Sequence, residues 1–127
     1  MAYGDVGGSV TELIITMRTP IAGRVDIAKG DAVWFVGEYI VANVGKLGDP
    51  VFGQAMADVS TPDTNFPVKV HGICIFEYDG GAQYVPQSVP FDSVAMSDTP
   101  GKVTGWASGK GINLRVDVER REVHVLL

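Results

Sequence analysis

Gly30-Asp31-Ala32-Val33-Trp34-Phe35-Val36-Gly37 and Val68-Lys69-Val70-His71-Gly72-Ile73-Cys74-Ile75-Phe76 are the two runs around which this chain is organised. The first sets apolar residues of β-branched and aromatic type between Gly30 and Gly37, a composition that favours a short buried strand. In the second, period two places Val68, Val70, Gly72, Cys74 and Phe76 on one face and Lys69, His71, Ile73, Ile75 and Glu77 on the other. That second face turns from polar to apolar after Gly72, as expected of a strand that enters an interior from a solvated rim, or of a bulge at the glycine. Between the runs, Val51-Phe52-Gly53-Gln54-Ala55-Met56 alternates small and larger side chains, and small ones let another backbone come close. The stretch reads as a compact β core.

Composition extends that reading to the whole chain. Glycine supplies 16 of 127 residues and proline seven, which suits many short strands joined by tight turns and does not suit long helices. An all-β chain with little helix is expected, in one domain of ordinary size. The formal charge is -5, from 15 acidic and 10 basic residues. Lys29, Lys46, Lys69, Lys102 and Lys110 are dispersed, so no stripe exists to neutralise phosphates and no nucleic-acid partner is expected. Arg120-Arg121, between Glu119 and Glu122, reads as a solvated turn. A single cysteine, Cys74, allows no intrachain disulfide and fits assembly in a reducing compartment. No membrane-length apolar run and no signal-type N-terminus occur, so the expectation is a soluble protein made inside the cell, with no membrane partner.

Residues 1–8 carry three glycines and one charge, Asp5, and read as a mobile arm. Val10 to Met17 follows as a strand-like run whose centre, Leu13-Ile14-Ile15, needs cover on both faces. Residues 1–17 are therefore expected to be an N-terminal arm or added strand, ahead of a β domain over 18–127; the alternative is that Val10 to Met17 joins the domain's own sheet or a homotypic interface. Gly23 to Ile27 alternates polar and apolar residues. Glu38 to Val44 reads equally as a strand or a single helical turn, and Ala57 to Pro67 has loop composition. Asp79-Gly80-Gly81 predicts a hairpin turn, and Pro86 and Pro90 predict an edge strand or extended loop. Thr99-Pro100-Gly101 places glycine at the third position of a type II turn. Ile112, Leu114, Val116 and Val118 alternate with Asn113, Arg115, Asp117 and Glu119 as the cleanest half-buried strand, which a charged turn joins to Val123–Leu127 in a terminal hairpin.

Chemistry-bearing constellations do not assemble. His71 and Cys74 are three apart and point to opposite faces of a regular strand, so Cys74 is expected buried and His71 at the surface, with no nucleophile and base paired. His71, Cys74 and His124 have no metal-ligand spacing, and Asp58 and Asp63 fit no EF-hand loop. Gly105-Trp106-Ala107-Ser108-Gly109-Lys110-Gly111 lacks the gap and the following Ser or Thr of a phosphate loop. No catalytic, cofactor or metal residue is assigned, and the chain is not expected to be an enzyme. Trp34 is expected in the core. Trp106, with Tyr84, is the candidate exposed interface, and a carbohydrate-binding β domain displayed on a particle is the alternative function.

From about Ile27 onward the order of pieces resembles the head decoration, or capsid cement, proteins of tailed bacteriophages. The residues that carry the likeness are Gly30-Asp31-Ala32-Val33, Val51-Phe52-Gly53-Gln54-Ala55-Met56, Val68 to Phe76, Thr99-Pro100-Gly101-Lys102-Val103 and the terminal hairpin. The second half shows no clear repeat of the Val-x-Gly-x-Ala-x segment, a departure that bears on oligomeric state and docking. The resemblance implies a small β-barrel or β-tulip domain on the outside of an expanded phage head, made in the host bacterial cytoplasm. Its implied partners are the major capsid protein and copies of itself, as a homotrimer at threefold sites, with no cofactor. An arm carrying Tyr3, Val10, Leu13, Ile14 and Ile15 would then contact the capsid by adding a strand to an exposed edge.

Overall fold

A computed structural model describes residues 12–79, 86 and 92–127. Ten strands and no helix occur among the described residues. Strands β1 (Leu13–Arg18), β2 (Ala32–Gly37), β3 (Ile40–Ala42), β4 (Gly53–Ala55) and β5 (Asn65–His71) close a barrel in the order β1-β3-β2-β4-β5. Strands β6 (Ile73–Glu77), β9 (Ile112–Asp117) and β10 (Glu122–Leu126) form a second sheet in the order β6-β10-β9, and β7 (Ser93–Met96) pairs with β8 (Val103–Trp106). The all-β, single-domain barrel expected of the chain is what it forms.

The apolar run of β2 serves two interiors because its side chains alternate. Val33 enters the barrel with Met17, Val41, Ala55, Phe66 and Val68. Ala32 enters the second core with Cys74, Phe76, Val94, Met96, Val103, Val123 and Val125, and Trp34 packs against that core. The run was expected to be buried throughout, yet Phe35 and Val36 are each 49% exposed. They emerge at the strand's far end, where the hairpin turn at Glu38 and Tyr39 leads into β3. That turn and strand resolve the ambiguity over Glu38 to Val44.

The long run from Val68 to Phe76 is two strands. At Gly72, with φ of 114°, the chain leaves the barrel for the second sheet, and Gly72 exchanges backbone hydrogen bonds with Leu127 (3.4 and 2.9 Å). Val68, Cys74 and Phe76 are buried as period two predicts, although Val68 faces the barrel and the other two face the second core. Lys69, expected on a solvated face, is buried as well. β5 begins at Asn65, so Pro67 lies within a strand; its carbonyl accepts from the Met56 N–H at 3.0 Å.

Two further expectations need correction. The boundary at residue 17 falls inside β1, which pairs with β5 along its length from Leu13↔His71 to Arg18↔Asn65. The apolar centre Leu13-Ile14-Ile15 is thus part of a barrel wall, the alternative reading of that run. Strand β9 exists, but its apolar side chains are largely uncovered: Ile112 is 61% and Leu114 52% exposed. The register against β10 shifts between His124 and Val125, from His124↔Arg115 to Val125↔Asn113, which leaves Leu114 as the extra residue of a bulge. A bulge reverses the alternation, so Val116 turns inward while Ile112 turns out. The Thr99–Lys102 turn matches its prediction, with Gly101 at φ 76° and the Lys102 N–H donating to the Thr99 carbonyl at 3.2 Å.

Candidate functional site

Two of the segments singled out in the sequence, at Asp31 and at Gly101, meet as a joint. Asp31 sits at the entry to β2, where its Oδ2 accepts from the Ala28 N–H (3.0 Å) and from Nδ2 of Asn43 (2.9 Å). The Gly101 turn is pressed against that carboxylate: the Gly101 N–H donates to the Asn43 carbonyl at 2.8 Å and the Ala32 N–H to the Gly101 carbonyl at 2.9 Å. A Cβ at Gly101 would overlap the Asp31 carboxylate, and one at Gly53 would lie 2.5 Å from the Lys69 carbonyl oxygen. Small residues here let backbones meet.

Lys69 is the functional-looking residue that sequence reasoning missed. Its Nζ donates to Glu12 Oε1 at 2.7 Å and to the Ile73 carbonyl at 2.6 Å, which ties β5 to the lead-in of β1 and to the start of β6. A lone cation between Val68 and Val70 was the available signal, since a buried charge needs a partner. Beside it, Gln54 Nε2 donates to the Gly30 (3.1 Å) and Ile75 (2.7 Å) carbonyls. Both groups hold elements together.

Cys74 is fully buried and His71 exposed. Burial pushes the Cys74 thiol up to about 11, so it is protonated and unreactive at neutral pH. Among the described residues no group of three or more His, Cys, Asp or Glu is placed to hold a metal ion. Trp34 lies at the margin of its core rather than inside it, with Nε1 donating to the Val44 carbonyl at 2.7 Å. Trp106 is half-buried, with its six-membered ring over Gly48, where a Cβ would lie 2.9 Å from Cζ2. That contact occupies ring surface which sugar stacking would need. Tyr3, Val10 and Tyr84, together with the hairpin expected at Gly80-Gly81 and the prolyl segment at Pro90, lie outside the described residues.

Among the described residues, apolar surface remains uncovered on the second sheet. On the outward face of the second sheet, Ile73, Leu126 and Ile112 form one row across the three strands, and Ile75, His124 and Arg115 form the next. Glu77, Glu122 and Asp117 complete the face at its other end. The face therefore grades from apolar to acidic.

No family model matches the chain, and no curated protein matches it. The outward face has to be interpreted from its own chemistry, which runs from β-branched and leucine side chains in register at one end to carboxylates at the other.

Proposed function

We propose that the chain is a head decoration, or cement, protein of a tailed bacteriophage, a structural virion component that binds the outside of the expanded capsid and stabilises it against the pressure of packaged DNA. The observation that carries this reading is the outward face of the second sheet. Its edge strand has the alternation of a buried strand, but the described residues provide no layer over Ile112, Leu114, Leu126 and Ile75. Exposed apolar rows of this kind mark surfaces that are covered on association. Two cores joined by glycine-mediated contacts give the stiffness a clamp needs, and repetition over a lattice turns modest contacts into avidity.

On this reading the partners are the major capsid protein and further copies of the chain, grouped as trimers at threefold sites on the capsid exterior. The test is co-sedimentation of the purified protein with expanded and unexpanded phage heads stripped of their own decoration. Binding to expanded heads that disappears in the double variant Ile112→Asp, Leu114→Asp is the expected result. A wild-type chain that pellets with neither form, or a double variant that binds as well as wild type, overturns the proposal.

A further inference from the structure

The barrel is fastened along one seam by very little. Strand β1 pairs with β5 over its length, but its register with β3 is a single parallel bridge, Arg18↔Ile40, where the Arg18 N–H donates to the Tyr39 carbonyl at 2.7 Å. Backbone groups alternate sides along a strand, so the N–H and C=O of Thr16, and of Ile14 two residues back, point the same way as those of Arg18, towards the seam. Pro67 gives the same answer: it stands opposite Thr16, and a residue without an N–H cannot exchange a pair of hydrogen bonds. Among the described residues no strand pairing and no turn or loop hydrogen bond engages those seam-facing groups of Ile14 and Thr16.

Alongside this free edge lies an apolar cavity of about 380 Å³, lined by Ile15, Met17, Phe35, Phe52, Tyr39 and Glu38. The Phe35 and Phe52 rings are in contact, with centroids 5.6 Å apart. Tyr39, 69% exposed, stands over it at φ 59°. A bulky aromatic is strained at that φ, where glycine or asparagine would serve the turn, and strain of this kind points to a role other than turning the chain. Glu38 is the only charged residue in the lining and has no ion-pair partner among the described residues.

We propose that this seam accepts an extended segment of a partner protein as an added strand beside β1. The free N–H and C=O groups of Ile14 and Thr16 specify an extended backbone, the aromatic and aliphatic lining specifies apolar side chains at alternate positions, and Glu38 specifies a Lys or Arg at one end. The inference stands apart from the proposed function, which rests on the outward face of the β6-β10-β9 sheet.

The probe is the peptide Ac-Arg-Val-Thr-Val-Thr-NH2, with Ac-Glu-Val-Thr-Val-Thr-NH2 as its charge-reversed control, and the readout is amide hydrogen exchange and amide chemical shifts of the full chain. In the free protein the Ile14 and Thr16 amides exchange faster than those of Ile15 and Met17. Saturating basic peptide slows them by about tenfold or more, and the acidic peptide binds more weakly by a similar factor. Tyr39→Gly relieves the backbone and raises the melting temperature, yet weakens the peptide by about tenfold. The proposal is overturned if Ile14 and Thr16 are already protected in the free chain, which would mean that residues 1–11 or a second copy fill the seam. It is equally overturned if both peptides leave the two amides unchanged, or if Tyr39→Gly binds as tightly as wild type.

Discussion

Strands β6 and β9 flank the same central strand, β10, and share its sheet, yet the inward-facing residues of β6 and the apolar residues at the start of β9 meet opposite fates. Cys74 and Phe76 of β6 are fully buried against Val123 and Val125, whereas Ile112 and Leu114 of β9 stand 61% and 52% exposed. β9 alternates apolar and polar residues, whereas β6 is apolar from Ile73 to Phe76 and its outward-facing Ile75 is itself exposed. The difference is made by what lies over each position: the β7–β8 hairpin and β2 cover the inner face, and the bulge at Leu114 turns Ile112 to the side that no described element covers. Alternation says which residues share a side, while burial depends on the layer opposite.

The covered side is held in place by the joint at Gly101, and breaking that joint has the largest expected effect. In Gly101→Ala the new methyl group must displace the Asp31 carboxylate, at a φ that alanine resists. Together these cost about 3 kcal/mol. Chemical denaturation should show that loss, and Asp31→Gly in the Gly101→Ala background should recover part of it by making room for the methyl group. A Gly101→Ala variant as stable as wild type would show that the joint does not brace the inner face.

Much of the inner face was legible in the sequence. Period two correctly marked Val68, Cys74 and Phe76 as buried, although Val68 belongs to the barrel and not to this face; the Thr99–Gly101 turn followed from proline before glycine, and the small residues Gly53 and Ala55 marked a close backbone approach. Three features were not legible, each because it depends on residues distant in the chain. Gly72 reads as a bulge or a rim until the two sheets it joins are seen. Lys69 reads as a surface cation until Glu12 and the Ile73 carbonyl are brought to it. The run Leu13-Ile14-Ile15 reads first as an arm, with a wall of the domain's own sheet as the alternative, and pairing with β5 decides for the wall. The free edge at Ile14 and Thr16 has no sequence signature, since it is a property of what β3 fails to reach.

Cys74 reports on the covered side by titration, with an intermediate effect. Burial raises its thiol from 9.0 to about 11, so the unfolded chain gives up this proton first as pH rises. The stabilisation that comes with the protonated thiol is complete below the unfolded value and is lost as pH climbs towards the folded one. Between about pH 8 and about pH 10 the wild-type chain should lose about 1 kcal/mol more than Cys74→Ala does. Denaturant midpoints of the two proteins at both pH values measure this difference, in which every other titrating group cancels. Equal losses would mean that the thiol is as accessible as Ile112 and that the inner face opens readily.

The smallest expected effect on folding belongs to the outer face, and it is the most informative for function. Ile112 and Leu114 leave little apolar surface behind in water when they are shortened, so Ile112→Ser, Leu114→Ser should change the stability of the isolated chain by no more than about 0.5 kcal/mol. The same two substitutions remove apolar surface from the row that the capsid reading places against a partner, so attachment to expanded heads should weaken by about tenfold or more. Thermal denaturation and head binding measured on one preparation separate the two quantities. A large loss of stability would show that the row is already covered within the chain, by residues outside those described. Unchanged stability with unchanged binding would leave the row without a partner on the capsid, and the contrast between β6 and β9 would then be one of folding alone.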